Sequence, residues 1–196
     1  MNKIMWDHVI FTGSVKGGKA IYSSVAKTFM DCNLELGGKD GVYIDEGFDP
    51  KVAAEAVVDG AFYNAGQSCC GLERVYVHQS IAEEFIQHCV DMAEAMELGD
   101  PQNDETYIGP MANVNCFDQL DKQMKDAEKK GAEILCGGKR LRIGDGVFWK
   151  PTVLSNVNSE MLVMRDENFA PILPIEIVDH LDEAIEKINL CEFGLT

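Results

Sequence analysis

Two residues in this chain have side chains that could carry out covalent chemistry together. A cysteine stands in Gly66-Gln67-Ser68-Cys69-Cys70, and an isolated acid stands upstream in Leu34-Glu35-Leu36-Gly37-Gly38. A thiol becomes strongly nucleophilic once deprotonated, and a carboxylate can orient or activate its partner. Glycine and small residues around Cys69 let a substrate and the backbone approach closely. If Cys69 and Glu35 meet across one cleft, they form a covalent-catalysis site. Read alone, Glu35 is simply an exposed strand residue, the ordinary fate of a lone acid.

The elements around these residues read as strands alternating with helices. Val9–Thr12 is a short apolar strand that stops at Gly13-Ser14, and a helical pattern follows through Lys27. A strand, a glycine turn and a helix start present backbone N–H groups outward, so Gly13, Ser14 and Gly18 would suit a pyrophosphate. An ordinary strand–turn–helix connection fits the same residues. In Asn33–Leu36, Leu34 and Leu36 share a face while Glu35 points the other way, and Gly37-Gly38 ends that strand before a second at Val42–Ile44. Asp49-Pro50 opens a helix as cap and first residue, with Val52, Ala53, Ala56, Val57 and Ala61 as its apolar stripe. That helix runs out near Asn64-Ala65-Gly66 and so delivers the Cys69 segment.

Further along, Arg74–His78 reads as a strand, and Ser80 as the cap of a helix with Ile81, Phe85, Cys89, Met92 and Met96 on one face. The methionines there read as core packing, and His88 as a packed histidine. Phe117, Leu120, Met124 and Ala127 line a helix that stops at Lys129-Lys130-Gly131, with basic residues in its last turn. Ala132–Cys136 is a strand, Gly137-Gly138 a turn, Trp149–Leu154 extended, Ile172–Val178 an apolar strand and Asp182–Leu190 a final helix. The alternation predicts an α/β fold with a mostly parallel sheet flanked by helices.

Composition narrows the function classes. The 196 residues suffice for one sizeable domain or pieces of two. Hydrophobic residues make up 46% and charged residues 26%, as in ordinary globular proteins. The 33 acidic and 17 basic side chains give a formal charge of −16, which repels phosphate backbones and anionic lipid, so neither nucleic acid nor membrane is expected as a partner. Seven cysteines, at 32, 69, 70, 89, 116, 136 and 191, form no C-x-x-C pair and no zinc-like cluster with histidine, so no metal site is expected. The first residues carry no signal-peptide pattern, and no apolar run approaches the ~18 residues of a membrane span, so a reducing compartment is the default.

Taken together, several stretches resemble the NAD(P)-dependent aldehyde dehydrogenase superfamily. Phe11-Thr12-Gly13-Ser14 with Gly18 is similar to its phosphate-side element, and Leu34-Glu35-Leu36-Gly37-Gly38-Lys39 to its acid-bearing element. Asn64-Ala65-Gly66-Gln67-Ser68-Cys69 resembles its nucleophile segment, and Glu167-Asn168-Phe169-Ala170-Pro171 a later segment in which alanine replaces the commoner glycine. The order agrees, and so does the separation of Glu35 and Cys69, 34 positions (69 − 35).

The resemblance implies an NAD- or NADP-dependent oxidation of an aldehyde to a carboxylic acid. Cys69 would be the nucleophile, forming a thiohemiacetal and then a thioester, and its backbone N–H half of the oxyanion hole. Glu35 would be the base that activates water, helped by any burial between Leu34 and Leu36. Gly13, Ser14, Gly18, Leu36 and Gly37 would belong to the cofactor site, with Glu167 on ribose hydroxyls and Phe169 beside the nicotinamide. Cys70 would be non-catalytic. Family members are considerably longer, so residues 1–37 would be the C-terminal part of a Rossmann-like dinucleotide-binding domain. Residues 38–196 would be a catalytic domain, incomplete at its C-terminus. The whole enzyme would be a homo-oligomer acting on a small aldehyde in the cytoplasm, an organelle matrix staying open. An inactive or partner-binding remnant and a cofactor-independent thiol esterase are the competing expectations.

Overall fold

In the computed structural model, residues 6–196 are described. Their contacts divide the chain into one unit that ends at Gly38 and another that begins at Lys39. In the first, β1 (His8–Thr12) and β2 (Asp31–Glu35) pair in parallel, with His8 opposite Asp31 and Thr12 opposite Glu35. A parallel pair needs a crossover, and α1 (Val15–Val25) supplies it. The helix stops two residues before the expected Lys27. Its last turn tightens as Lys27 and Thr28 N–H groups bond to Ser24 and Val25 carbonyls, while the Ser23 and Ser24 hydroxyls bond back to Lys19 and Ala20. Along β2, Cys32 and Leu34 are half-buried and Asp31, Asn33 and Glu35 exposed, the expected alternation.

The second unit is built on a five-stranded sheet. Its strands are β3 (Asp40–Ile44), β4 (Leu72–His78), β5 (Glu133–Cys136), β8 (Thr152–Ser155) and β9 (Ile172–Val178), in the order β3-β4-β9-β8-β5. All pairs are parallel except β5 with β8. The central β4 and β9 are buried nearly throughout, as strands covered on both faces must be. Two helices, α2 (Pro50–Phe62) and α3 (Ala82–Ala95), pack on each other and on this sheet, and α6 (Leu181–Asn189) lies against β3 and β9.

Asp49 caps α2 as expected, its carboxylate accepting the Lys51 and Val52 N–H groups at 2.9 and 3.0 Å with Pro50 in the first turn. The buried stripe is displaced from the expected one. Ala53, Ala54, Val57, Val58, Ala61 and Phe62 face inward, while Val52 and Ala56 are exposed. Ser80 does not cap α3. Its hydroxyl instead bonds His78 Nδ1 at 2.8 Å, and Ile81 occupies the cap position without a side-chain bond. The inward face of α3 is Ala82, Phe85, Cys89 and Ala93, with Met92 and Met96 half-buried beside it. His88 is paired with Glu84 at 3.7 Å on the helix surface.

Beyond α4 (Phe117–Lys129), whose Phe117, Leu120, Met124 and Ala127 are buried as expected, the chain forms an unanticipated hairpin. Its strands are β6 (Arg140–Ile143) and β7 (Gly146–Trp149), turning at Gly144-Asp145 with Gly144 at φ 55°. Trp149 at its end is wholly buried. Its ring stacks on Phe117 at 6.3 Å, and its Nε1–H donates to Thr152 Oγ1 at 3.1 Å. A short α5 (Leu162–Arg165) precedes β9. Among the described residues, no helix is long and apolar enough to cross a membrane.

Candidate active site

The segment carrying Cys69 begins where α2 ends. Residues Tyr63–Gly66 make a tight turn in which Asn64 (φ 53°), Ala65 (φ 56°) and Gly66 (φ 68°) all adopt left-handed backbone. For the two that are not glycine, such a conformation costs about 1–3 kcal/mol each and persists only when neighbours over-determine it. Here they do. Asn64 Nδ2 donates to the Gln67 carbonyl at 2.9 Å, and Gln67 Nε2 returns a bond to the Asn64 carbonyl at 3.1 Å. Gln67 Oε1 in turn accepts the Ala112 N–H at 2.8 Å. A side chain at Gly66 would have its Cβ 2.3 Å from the carbonyl carbon and oxygen of Ala170 and 2.6 Å from Pro171 N. Only glycine permits that backbone-on-backbone contact, and it seats the turn on the Glu167–Pro171 segment.

The turn delivers Cys69 and Cys70 to the surface, both as exposed free thiols. Tyr63 Oη donates to Ser68 Oγ at 2.6 Å, and Ser68 Oγ lies 3.4 Å from Cys70 Sγ. The Ser68 hydrogen bond holds the Cys70 thiol below its usual range. Burial pushes the Cys89 thiol up to about 12 and raises those of Cys116 and Cys136.

Opposite the turn, Phe169 is also left-handed (φ 49°) and its ring is exposed. What holds it is a buried network that sequence reasoning misses. Glu73 on β4 accepts the Asn168 N–H on Oε2 and the Phe169 N–H on Oε1, each at 2.8 Å. Lys39 Nζ, fully buried, pairs with Glu73 Oε2 and donates to Asn168 Oδ1, each at 2.9 Å. Burial pushes the Lys39 ammonium down and the Glu73 carboxylate opposes that shift. Arg74 Nε–H donates to the Lys39 carbonyl at 2.8 Å. The one available signal is a Glu-Arg pair inside the apolar strand Leu72–His78. The Glu167 carbonyl accepts Gln119 Nε2 at 3.1 Å and Gln123 Nε2 at 3.3 Å, which ties the segment to α4.

In the first unit, Gly13, Ser14, Gly18, Glu35, Leu36 and Gly37 gather at one end of the β1–α1–β2 crossover. Ser14 Oγ caps α1 by accepting the Gly17 N–H at 3.1 Å, and the Gly13 N–H donates to the Glu35 carbonyl at 3.0 Å. The Ser14 hydroxyl proton and the remaining first-turn N–H groups of α1 are the donors this end offers an anion. Gly18 makes room for Leu36, whose Cδ2 would stand 2.6 Å from an added Cβ. The Glu35 side chain is exposed, so the expected burial between Leu34 and Leu36 does not occur within this unit. Cys69, Glu167 and Phe169 belong to the second unit, in which the turn before Cys69 meets the segment carrying the other two where Gly66 faces Ala170.

The family model that matches this chain, described as the aldehyde dehydrogenase family, covers residues 2–196. Among curated proteins, the succinate semialdehyde dehydrogenase Sad of Escherichia coli, whose name specifies NAD(P)+, is 37% identical over 188 residues, 96% of this chain and 40% of its own length. A putative aldehyde dehydrogenase PutA from Anabaena variabilis superposes with a TM-score of 0.92 at 38% identity, over 96% of this chain and 40% of that one. Betaine aldehyde dehydrogenase from Staphylococcus aureus in complex with NAD+ superposes with a TM-score of 0.91 at 32% identity, over 96% and 38%. The chain thus spans about 40% of the length of the relatives it matches. With the α/β architecture, the four sequence elements in order and this match over nearly every residue, the chain belongs to the aldehyde dehydrogenase family.

Proposed function

We propose that this chain carries the nucleophile and the base of an enzyme that oxidises an aldehyde to a carboxylic acid with NAD(P)+. The observation that carries the reading is the left-handed Asn64–Gly66 turn, which delivers an exposed Cys69 and rests on the backbone beside Phe169. In this reading residues 1–37 are part of a dinucleotide-binding domain and residues 38–196 part of a catalytic domain. The N-terminal end of α1 with Ser14 suits a pyrophosphate, and the exposed Phe169 ring suits a flat nicotinamide, so the residues fit the cofactor. Gly13, Gly18, Leu36 and Gly37 shape the first of these places and Glu167 bonds ribose hydroxyls. The cofactor, when bound, supplies the hydride acceptor.

The Cys69 thiolate adds to the aldehyde carbon, forming a C–S bond, and the Cys69 N–H donates to the resulting oxyanion. Once that carbon has lost its hydride, Cys69 holds a thioester. Glu35 then takes a proton from water, whose oxygen attacks the thioester carbon. The C–S bond breaks, the acid leaves and Cys69 is regenerated. The full protein is read as a cytoplasmic homo-oligomer with a small aldehyde substrate. Its acidic balance favours neither nucleic acid nor membrane.

The test is aldehyde-dependent formation of NADH or NADPH, followed by absorbance. Cys69→Ser should lower turnover by about a thousandfold or more. Glu35→Gln should leave a burst of reduced cofactor followed by slow turnover, because water activation is needed only after the thioester forms. Cofactor-independent ester hydrolysis that depends on Cys69, with no reduction of NAD(P)+, would replace this reading with a thiol esterase. Unchanged turnover in Cys69→Ser would overturn it.

A further inference from the structure

The buried Glu73 carboxylate meets three donors and sits under the segment that supports the cysteine turn. Its two oxygens take consecutive backbone N–H groups, of Asn168 and Phe169, and the Lys39 ammonium holds the same carboxylate from the other side. Asn168 is fixed a second time by Lys39 through its Oδ1. One residue past Phe169, the Ala170 carbonyl lies so near Gly66 that a single added carbon would collide with it. A continuous covalent and packed path therefore runs from Lys39 and Glu73 through Asn168–Ala170 to Gly66, and three residues on to Cys69. Glu73 and Arg74 are the two buried charges of β4, whose next residues at 75, 76 and 77 are buried and uncharged.

We propose that Glu73, charged and anchored by Lys39, is a positioning residue that sets the Cys69 turn by pinning the Asn168–Phe169 backbone. The proposal rests on Cys69 being the nucleophile for its effect on catalysis, but not for its effect on thiol reactivity. The pair holds the left-handed Phe169 in place, and through it the surface on which Gly66 is seated. Loss of the two N–H acceptors lets residues 168–170 relax, and Cys69 moves with them. Cys70 has a further contact of its own, with Ser68 Oγ at 3.4 Å, and is affected less.

The informative variant removes the ion pair as a whole. Breaking a buried pair on one side leaves an uncompensated charge, whereas replacing both partners by apolar groups of similar size is often neutral for stability. Glu73→Leu with Lys39→Met in the full chain therefore avoids an uncompensated charge and is expected to stay folded at room temperature by circular dichroism, with a lower melting temperature because the Asn168 and Phe169 N–H groups lose their acceptor. Iodoacetamide labelling resolved by peptide mass spectrometry should then show the Cys69 rate changed by about threefold or more relative to that of Cys70. In the active enzyme kcat should fall about tenfold or more. Single Lys39→Arg, which keeps the charge and a donor, should retain much of the unaltered labelling ratio. An unchanged Cys69 to Cys70 labelling ratio in the double variant overturns the proposal, whatever the turnover. A changed ratio in a protein that never reduces NAD(P)+ supports the positioning role and overturns only the reading of the activity.

Discussion

Two of this protein's glycine-bearing turns serve their surroundings in opposite ways. At the end of β1, Gly13, Gly17 and Gly18 make room for side chains: an added carbon would press on the Phe11 ring or on the tip of Leu36. Their backbone lies outside the left-handed region, and the turn satisfies its own bonds through Ser14 and the Glu35 carbonyl. At the end of α2, Gly66 makes room for another backbone, and two residues without glycine's freedom share its left-handed conformation. Side chains can rotate away from an intruding carbon, whereas a carbonyl fixed in a sheet-bound segment cannot. The first turn is thus adaptable and the second is fixed, as the proposed reading requires of a cofactor's phosphates and of a reacting thiol.

The sharpest way to break this comparison is Gly66→Ala. Left-handed strain of about 1–2 kcal/mol and overpacking of about 1–3 kcal/mol add here, for a loss of about 4 kcal/mol in urea unfolding. Turnover should fall at least about a hundredfold, because misplacement of the nucleophile by an ångström is enough for that. Full stability and activity in the Gly66→Ala protein would show that the second turn is as adaptable as the first.

The counterpart is Gly18→Ala. Its Cβ meets only the flexible end of Leu36, and alanine is favoured over glycine inside a helix by about 1 kcal/mol. Overpacking against Leu36 costs about 1–3 kcal/mol and opposes that gain, so a net loss of about 1 kcal/mol is expected by the same unfolding measurement. A loss as large as that of Gly66→Ala would remove the distinction.

The smallest effect concerns Ser68→Ala. Ser68 holds the Cys70 thiol down by hydrogen bonding to it, so its removal raises that pKa and less thiolate is present at neutral pH. The pH profile of Cys70 alkylation should move to higher pH. An unmoved Cys70 profile would show that the hydroxyl does not govern this thiol.

Much of this architecture can be read from local pattern. The strand Ile172–Val178 has the bounds expected of it, because a strand-length run of isoleucine, leucine and valine admits few other readings even with Pro174 and Glu176 inside it. Helix α2 is legible in the sequence but its buried face is not: Val52, Ala53, Ala54, Ala56, Val57 and Val58 are all apolar, so two helical phases fit equally well. The sheet decides between them. The hairpin at Arg140–Trp149 gives little signal because β6 is exposed throughout and its Leu141 and Ile143 alternate with arginines. Ser80 has the residue type of a cap, but His78, two residues away, offers its hydroxyl another partner. Among the candidate residues, Cys69, Glu35 and Phe169 stand out by residue type and neighbours. The Lys39–Glu73–Asn168 network does not, because its other members lie 34 and 129 positions from Lys39 and only folding joins them.

Finally, the stacked and hydrogen-bonded environment of Trp149 gives the protein an optical property. The chain has two tryptophans, Trp6 at 65% exposure in the first unit and Trp149 at 0% in the second. Their fluorescence should therefore differ in colour, a red-shifted, readily quenched band from Trp6 and a blue-shifted, protected one from Trp149. Acrylamide quenching during denaturation can follow the second unit in the cuvette without any attached dye, with Trp6 as a constant internal reference. Loss of the blue band would report that the packing of Trp149 on Phe117 has opened.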